Sequence, residues 1–150
     1  MHMIDQLLTG YEGSFIIKLS LCLLAGFLIG LERELKGKPA GISTQSLVIG
    51  GAMIFTLLST VIDPNSPARI AAQIVSGVGF LGAGMILKSN GDKIKNLTTA
   101  ATIWFAASLG MAIGFGWYVV ACIATLYAVF VPMIPKMNPK MNRRELPKTN

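Results

Sequence analysis

The chain has 150 residues, of which 53% are hydrophobic and 13% are charged, whereas soluble domains carry about 25% charged residues. The charges stand in clusters between long apolar runs, which excludes a water-soluble globular enzyme and predicts an integral membrane protein. The net charge of +6 does not indicate nucleic-acid binding, because the basic residues lie at the ends of apolar segments and form no aromatic-rich basic surface.

Five segments have the length and composition of membrane-spanning helices, which need about 20 mostly apolar residues. Turn-forming residues separate them: glycine and proline after the first span, the stretch 63–67 after the second, and the stretch 89–92 after the third. A short glycine-containing stretch, 114–116, divides the last two, which predicts a tight antiparallel hairpin. The predicted fold is therefore all-α, an integral membrane bundle of five transmembrane helices over residues 15–31, 43–62, 70–87, 97–114 and 117–134.

The basic residues predict the orientation, because Lys and Arg in short loops stay on the cytoplasmic side during insertion. Eleven of them follow the first, third and fifth spans, while the opposite side holds Arg69 and also Lys18, which can snorkel outward. This asymmetry predicts an outside N-terminus and a cytoplasmic C-terminus, with a transmembrane domain over residues 1–135 and a basic cytoplasmic tail over 136–150. A cleaved secretory signal is disfavoured, because Asp5 and Glu12 precede the first apolar run where such signals carry positive charge.

Small residues recur at helical spacing within the spans, and such stripes let the backbones of membrane helices approach closely. Two interpretations stay open, packing within one bundle and a face for self-association, from which we expect a homo-oligomer, with a dimer as the guess. Residues 77–82 match the dinucleotide pattern GxGxxG. A dinucleotide site would also need a strand before this pattern and an acidic residue after it, and the sequence has neither at the required place. The predicted packing glycines are Gly26, Gly30, Gly77, Gly79, Gly82, Gly84 and Gly110.

The sequence offers few residues for catalysis or metal binding. His2 is the single histidine, so neither a histidine metal site nor a Ser-His-Asp triad can form, and Cys22 and Cys122 are expected to be buried small side chains in separate spans. No acidic residue lies in the middle of a span, which argues against a proton-coupled transporter but leaves open a passage lined by backbone carbonyls and hydroxyls. We therefore predict no catalytic residue, no metal and no cofactor, and a protein that is not an enzyme.

Polar residues collect at the predicted cytoplasmic ends of the first, second and fourth spans. Ser43 and Asn96 are suitable helix N-caps, but capping does not require four consecutive polar residues. We predict that these ends converge on a polar cavity or docking surface, with Arg33 as the candidate for binding an anion or a partner carboxylate. The candidate partner- or ligand-binding residues are Glu32, Arg33, Ser43, Thr44, Gln45, Asn96, Thr98, Thr99 and Trp104.

Three blocks of sequence resemble the MgtC/SapB family of bacterial membrane proteins. They are GLERE with GKPAGI at 30–34 and 37–42, GVGFLGAG at 77–84, and LTTAATIW at 97–104, in the family's order and at its intervals. The resemblance covers residues 21–127 and is to the short form, without the soluble C-terminal domain of longer members. The sequence departs from the pattern at Ser43, Gln45 and Asn96, where many members have Arg, His and Gly.

The resemblance implies a multi-pass protein of the bacterial inner or plasma membrane, linked to growth under magnesium limitation and to virulence. It further implies a modulator of other membrane machinery, in contact with the lipid bilayer and with a membrane-protein partner. We predict a regulator of this kind. The alternative is an oligomeric transporter or channel for an ion, magnesium included, or for a small polar solute, with residues 77–84 as its thin wall.

Overall fold

The computed structural model describes residues 10–87 and 95–134, and within these ranges every regular element is helical. Five α-helices follow one another along these ranges, and a short 3₁₀ turn extends the last of them. The helices are α1 (Glu12–Leu35), α2 (Ile42–Ile62), α3 (Ala68–Leu87), α4 (Leu97–Gly114) and α5 (Tyr118–Phe130), and the 3₁₀ turn is Val131–Met133.

The helices confirm the all-α membrane fold, and each of them overlaps one of the five predicted spans. α1, α2 and α4 are long and apolar enough to cross a bilayer, while α3 and α5 contain shorter apolar segments, Ala71–Ile86 and Tyr118–Met133. α1 continues to Leu35, past the predicted end at residue 31, because the Glu and Arg residues after the apolar run are good helix formers. α5 ends earlier than predicted, since Pro132 lacks the N–H that a continuing α-helix needs.

α2 and α4 form the centre of the bundle. Ile49 and Met53 of α2 and Ala106 of α4 are fully buried, and α1 and α5 pack against the same core. α3 lies at the edge, where Ala71 and Ile74 pack into a smaller cluster with residues of α2 and α4. Most of the other described side chains of α3 are exposed, so one side of this helix faces away from the bundle.

Close approach of helix backbones explains why three of the predicted packing positions hold glycine. A Cβ atom on Gly30 would lie under 3.0 Å from the backbone of Ile42, and one on Gly110 would meet the backbone of Ile49. Gly26 meets the backbone of α2 in the same way, one turn further along. α1 and α4 therefore pack against α2 at distances that a residue larger than glycine would prevent.

The glycines of α3 lie in a different environment. Gly82 approaches α4, where its Cβ position would be 3.7 Å from the Cβ of Ala100. Gly77, Gly79 and Gly84 have no atom within 4 Å of a Cβ position. Gly77 and Gly84, two turns apart, lie on one side of α3, whereas Gly79 lies on another side of the helix.

The loops bring residues from distant parts of the chain to the two ends of the bundle. Lys36 Nζ donates to the carbonyl of Pro132 at 3.1 Å, which joins the ends of α1 and α5. We call this end, residues 31–45, 95–102 and 127–134, the basic end. At the opposite end Lys18 Nζ donates to the carbonyl of Gly114 at 2.7 Å. The prediction that Lys18 snorkels outward is wrong, because the residue is only 8% exposed and its ammonium donates a hydrogen bond to this carbonyl inside the bundle.

Several predicted features lie outside the described residues. They include the basic tail at 136–150 and two of the lysines that predict the orientation, Lys88 and Lys93. The described cations at the basic end are Arg33, Lys36, Lys38 and Lys95.

Candidate functional site

Arg33 lies in the last turn of α1 and is fully buried at the basic end. Its Nε and Nη2 atoms each donate to the carbonyl of Pro39 at 3.3 Å, and Nη2 also donates to the hydroxyl of Thr99. These contacts join α1, the loop that follows it and the first turn of α4. Since a buried guanidinium is costly unless its donors are paired, the contacts explain how the fold accommodates this charge.

Gln45, in the first turn of α2, is a second fully buried polar residue at the basic end. Its Nε2 donates to the carbonyl of Ala40 at 3.2 Å, next along the chain from the carbonyl that Arg33 holds. Ala40 has a φ of 62°, a left-handed conformation that is unfavourable for a residue with a Cβ atom. Buried side chains from two helices thus hold the loop where its backbone is strained.

Glu34 connects α1 and α2 at the basic end. Its Oε1 accepts a hydrogen bond from the N–H of Ile42 at 2.9 Å, which satisfies one of the free donors at the start of α2. Gly41 leaves room for this carboxylate, because a Cβ there would lie 2.7 Å from Glu34 Cγ. The prediction that Ser43 caps α2 is wrong: the N-cap residue is Gly41, and the acceptor comes from another helix.

Asn96 is the N-cap residue of α4, as predicted, but its side chain makes no capping hydrogen bond. Its φ of 63° is left-handed, whereas a capping side chain normally needs an extended backbone. The first hydrogen bond of the helix runs from the Ala100 N–H to the Asn96 carbonyl at 2.9 Å. The N–H groups of residues 97–99 therefore have no partner within the helix.

Glu32 balances part of the positive charge at the basic end. It is 6% exposed, and its Oε1 lies 2.6 Å from Lys36 Nζ and 3.7 Å from Lys38 Nζ. Both lysine side chains are about one-third exposed, so they reach over the buried carboxylate from the surface. Among the described residues, the basic end holds four cationic side chains and two carboxylates, which leaves it positive.

The nine predicted ligand residues fall into two groups. Four are buried together at the junction of α1, α2 and α4: Glu32, Arg33, Gln45 and Thr99. The other five lie at its surface or further along a helix, and all are exposed except the half-buried asparagine: Ser43, Thr44, Asn96, Thr98 and Trp104. The four buried residues form a closed cluster and not the open polar cavity that the sequence suggested, and their role in binding stays a prediction. We call the four buried residues the Arg33 cluster.

The partners of the Arg33 cluster were not among the predicted site residues. Pro39 and Ala40 contribute backbone carbonyls, for which a side-chain pattern carries no signal. Glu34 has a usable signal, since a glutamate shortly before a glycine-rich turn can reach back to the next helix start.

In the Arg33 cluster, the buried Glu32 Oε1 has no hydrogen-bond partner but forms ion pairs with Lys36 and Lys38. Two further buried atoms have no hydrogen-bond partner among the described residues, Arg33 Nη1 and Gln45 Oε1. One is a donor and the other an acceptor, so the cluster can bind one further polar group. Within residues 10–87 and 95–134, no group of three His, Cys, Asp or Glu side chains could hold a metal ion. The arrangement is suited to recognition and to holding a loop.

Comparison with known proteins establishes the family. A model described as the MgtC family matches residues 19–138. The chain belongs to the MgtC family. This confirms the resemblance to MgtC/SapB proteins that the three sequence blocks indicated. The family match includes the Arg33 cluster and all of α2 to α5, so the cluster lies in the part of the chain that defines MgtC membership.

Each alignment with an individual relative covers a larger share of this chain than of the relative. It is 46% identical over 112 residues to the protein MgtC of Salmonella typhimurium, which is 75% of this chain and 48% of that protein. It is 39% identical over 143 residues to the protein SapB of Bacillus subtilis, 86% of this chain and 62% of that one. The protein MgtC of Brucella abortus is 45% identical over 109 residues, with 72% and 45% covered.

The chain spans about half the length of the MgtC proteins that it matches. No solved structure matches it.

Proposed function

We propose that this member of the MgtC family is a non-enzymatic protein of the bacterial inner (plasma) membrane that modulates partner membrane complexes during adaptation to magnesium limitation or host stress. In the orientation that we propose, the N-terminus is outside and the basic end faces the cytoplasm. The observation that carries this proposal is the exposed outer side of α3, which we interpret as a docking face.

The outer side of α3 has the composition of a helix-packing surface. Gly77 and Gly84 lie two turns apart on one side of α3 and leave open space where a Cβ would be, and Phe80 on the same side has 81% of its surface exposed. Small residues let a second helix backbone approach closely, and a neighbouring aromatic ring adds contact area. This combination supports association with another transmembrane helix.

A groove between α2 and α3 continues the same surface. It has a volume of about 560 Å³ and an apolar lining that includes Leu47, Phe55 and Ile74. Gln73 also lines it, and its side chain is exposed. Lipid chains offer no hydrogen-bond partner to an amide, whereas a polar group on another helix does. The groove therefore favours a partner protein over lipid alone.

The Arg33 cluster supports the same function from the basic end. By holding the carbonyls of Pro39 and Ala40, Arg33 and Gln45 give the loop after α1 one shape. In our proposal this loop, together with the exposed polar residues Ser43, Thr44 and Thr98, gives the cytoplasmic surface its specificity. A second copy of the chain is a further candidate for the α3 face.

Crosslinking in cells, followed by purification in mild detergent and mass spectrometry, tests the proposal. The test variant is Gly77→Leu, whose Cβ would have no atom within 4 Å and whose side chain would occupy the rim of the groove between α2 and α3. Gly13→Leu is the matched control, since that glycine is also helical and equally open but lies at the start of α1. We expect wild type and G13L to retain a stoichiometric partner that G77L loses, with thermal unfolding unchanged.

Two outcomes would contradict the proposal. A partner retained by G77L at wild-type level would show that α3 is not the docking face. Self-association as the sole product in all three proteins, together with solute flux in reconstituted vesicles, would instead indicate a transporter.

A further inference from the structure

A second groove lies between α4 and α5 at the basic end. Its volume is about 150 Å³, and its wall is mainly apolar, formed by Ala101, Phe105, Tyr127 and Val131. The rings of Phe105 and Tyr127 are in contact, with their centroids 5.6 Å apart and their planes tilted by 34°. Ala101 and Tyr127 are exposed, so the groove opens on the outside of the bundle, where the bilayer lies. Part of a lipid acyl chain matches this apolar lining.

The upper rim of the groove is the N-terminus of α4. Thr98, the second residue of this 18-residue helix, lines the groove and is exposed. The helix starts without a side-chain cap, and its first three N–H groups have no partner within the helix. The partial positive charge of a helix N-terminus favours an anion at this place.

Two lysines lie close to this rim in the structure or in the sequence. Lys36 Nζ is 3.1 Å from the carbonyl of Pro132, which lines the groove. Lys95 is exposed two residues before α4 begins. Glu32 and Glu34 are nearby, but Glu32 already pairs with Lys36 and Lys38, and Glu34 accepts from the start of α2.

Arg33 adds a buried positive charge behind the start of α4, although it is not among the residues that line the groove. It is fully buried, its Nη2 donates to Thr99 in the first turn of α4, and its Nη1 has no partner among the described residues. A buried guanidinium with a free donor next to a helix N-terminus keeps the local potential positive. An anion at the rim would offset that potential.

The geometry points to a binding site for an anionic phospholipid in this groove. The phosphodiester lies at the start of α4, near Thr98, Lys95 and Lys36, and an acyl chain runs along Ala101, Phe105 and Tyr127. The apolar wall below the rim distinguishes this occupant from free phosphate, and the surplus of cations distinguishes it from a zwitterionic lipid. The site is separate from the α3 face and does not depend on any partner protein.

Native mass spectrometry of the purified full-length chain in detergent tests this inference, with phosphatidylglycerol, phosphatidylcholine and inorganic phosphate as separate probes. We expect phosphatidylglycerol to bind in preference to phosphatidylcholine, and phosphate alone not to be retained. Lys95→Gln should weaken phosphatidylglycerol binding about fivefold, since one lysine near a membrane surface contributes about 1 kcal/mol. Arg69→Gln removes one exposed cation from the opposite end and is the matched control.

A second pair of variants tests the groove itself. Ala101→Phe fills it, while Ala83→Phe adds the same bulk to an exposed position of α3. We expect A101F to lose most phosphatidylglycerol binding and A83F to keep it, with both proteins unfolding at the wild-type temperature. Equal binding of the two lipids, equal retention of inorganic phosphate, or full binding by A101F would each overturn the inference.

Discussion

Arg33 at the end of α1 donates to the hydroxyl of Thr99 at the start of α4, a residue 66 positions further along the chain. The same guanidinium holds the Pro39 carbonyl in the loop after α1. One side chain thus determines how three segments meet at the basic end. Its removal would affect the loop and the helix junction together, while the apolar core would stay intact.

Arg33→Ala should abolish function without preventing membrane insertion. The substitution leaves the Pro39 carbonyl and the Thr99 hydroxyl without their donor, at a cost of about 1–3 kcal/mol for each group that stays unsatisfied. Orientation should persist, because the other basic residues on that side still direct insertion. Thermal unfolding in detergent and cysteine accessibility labelling measure the two effects, with Arg69→Ala as the exposed control. Inverted or absent R33A protein would show that Arg33 serves topology instead.

Two glycine substitutions should change stability in opposite directions. Gly110→Ala places a methyl group against the backbone of Ile49, so we expect a loss of about 1–3 kcal/mol. Gly79→Ala meets no atom and should stabilise α3 by up to about 1 kcal/mol through helix propensity. Unfolding titrations in mixed micelles measure both. A neutral G110A would mean that α2 and α4 lie further apart than described.

Lys18→Met should weaken the junction of α1 with the end of α4. Lys18 Nζ donates to the Gly114 carbonyl at 2.7 Å, and a cation at a helix C-terminus also interacts favourably with the helix dipole. Losing both contributions should lower the free energy of unfolding by about 1–2 kcal/mol. The control is Ile17→Met, an exposed neighbour on the same helix. Equal stability of the two variants would argue against the hydrogen bond.

Glu34→Ala should loosen the start of α2 while leaving the bundle folded. Without the carboxylate, the Ile42 N–H loses its acceptor, and a lost N-cap costs about 1 kcal/mol. Hydrogen exchange at residues 41–45 should therefore become about fivefold faster. Gly41→Ala should act in the same direction, because its Cβ would displace the Glu34 side chain. Unchanged exchange in both variants would exclude this cap.

The spans could be predicted because bilayer thickness and apolar composition constrain them locally. α4 runs from Leu97 to Gly114 as expected, since a turn residue precedes it and a glycine-containing stretch follows. The partners of individual residues could not be predicted in this way. Lys18 meets Gly114 across 96 positions, and only the packing of the helices decides that contact.

The candidate site, like the spans, could be predicted from the sequence only in part. Residue type alone identified Arg33, Glu32, Gln45 and Thr99, because polar residues at the ends of apolar spans are expensive to bury. The sequence contained no sign that the acceptors would be backbone carbonyls or that α2 would begin at Gly41. Likewise, the sequence does not distinguish the glycines of α3 from those of α1 and α4, although a Cβ on Gly77, Gly79 or Gly84 would meet no atom within 4 Å.

The contact between Arg33 and Thr99 also has a consequence for biosynthesis. The ribosome completes α1, α2 and α3 before α4 emerges, so the guanidinium spends this interval without one of its final acceptors. During that time it must stay near water or lipid headgroups at the membrane surface, because moving it inward unpaired is costly. The N-terminal half therefore reaches its final packing only after α4 has inserted, and translation arrest before α4 should leave it susceptible to membrane proteases.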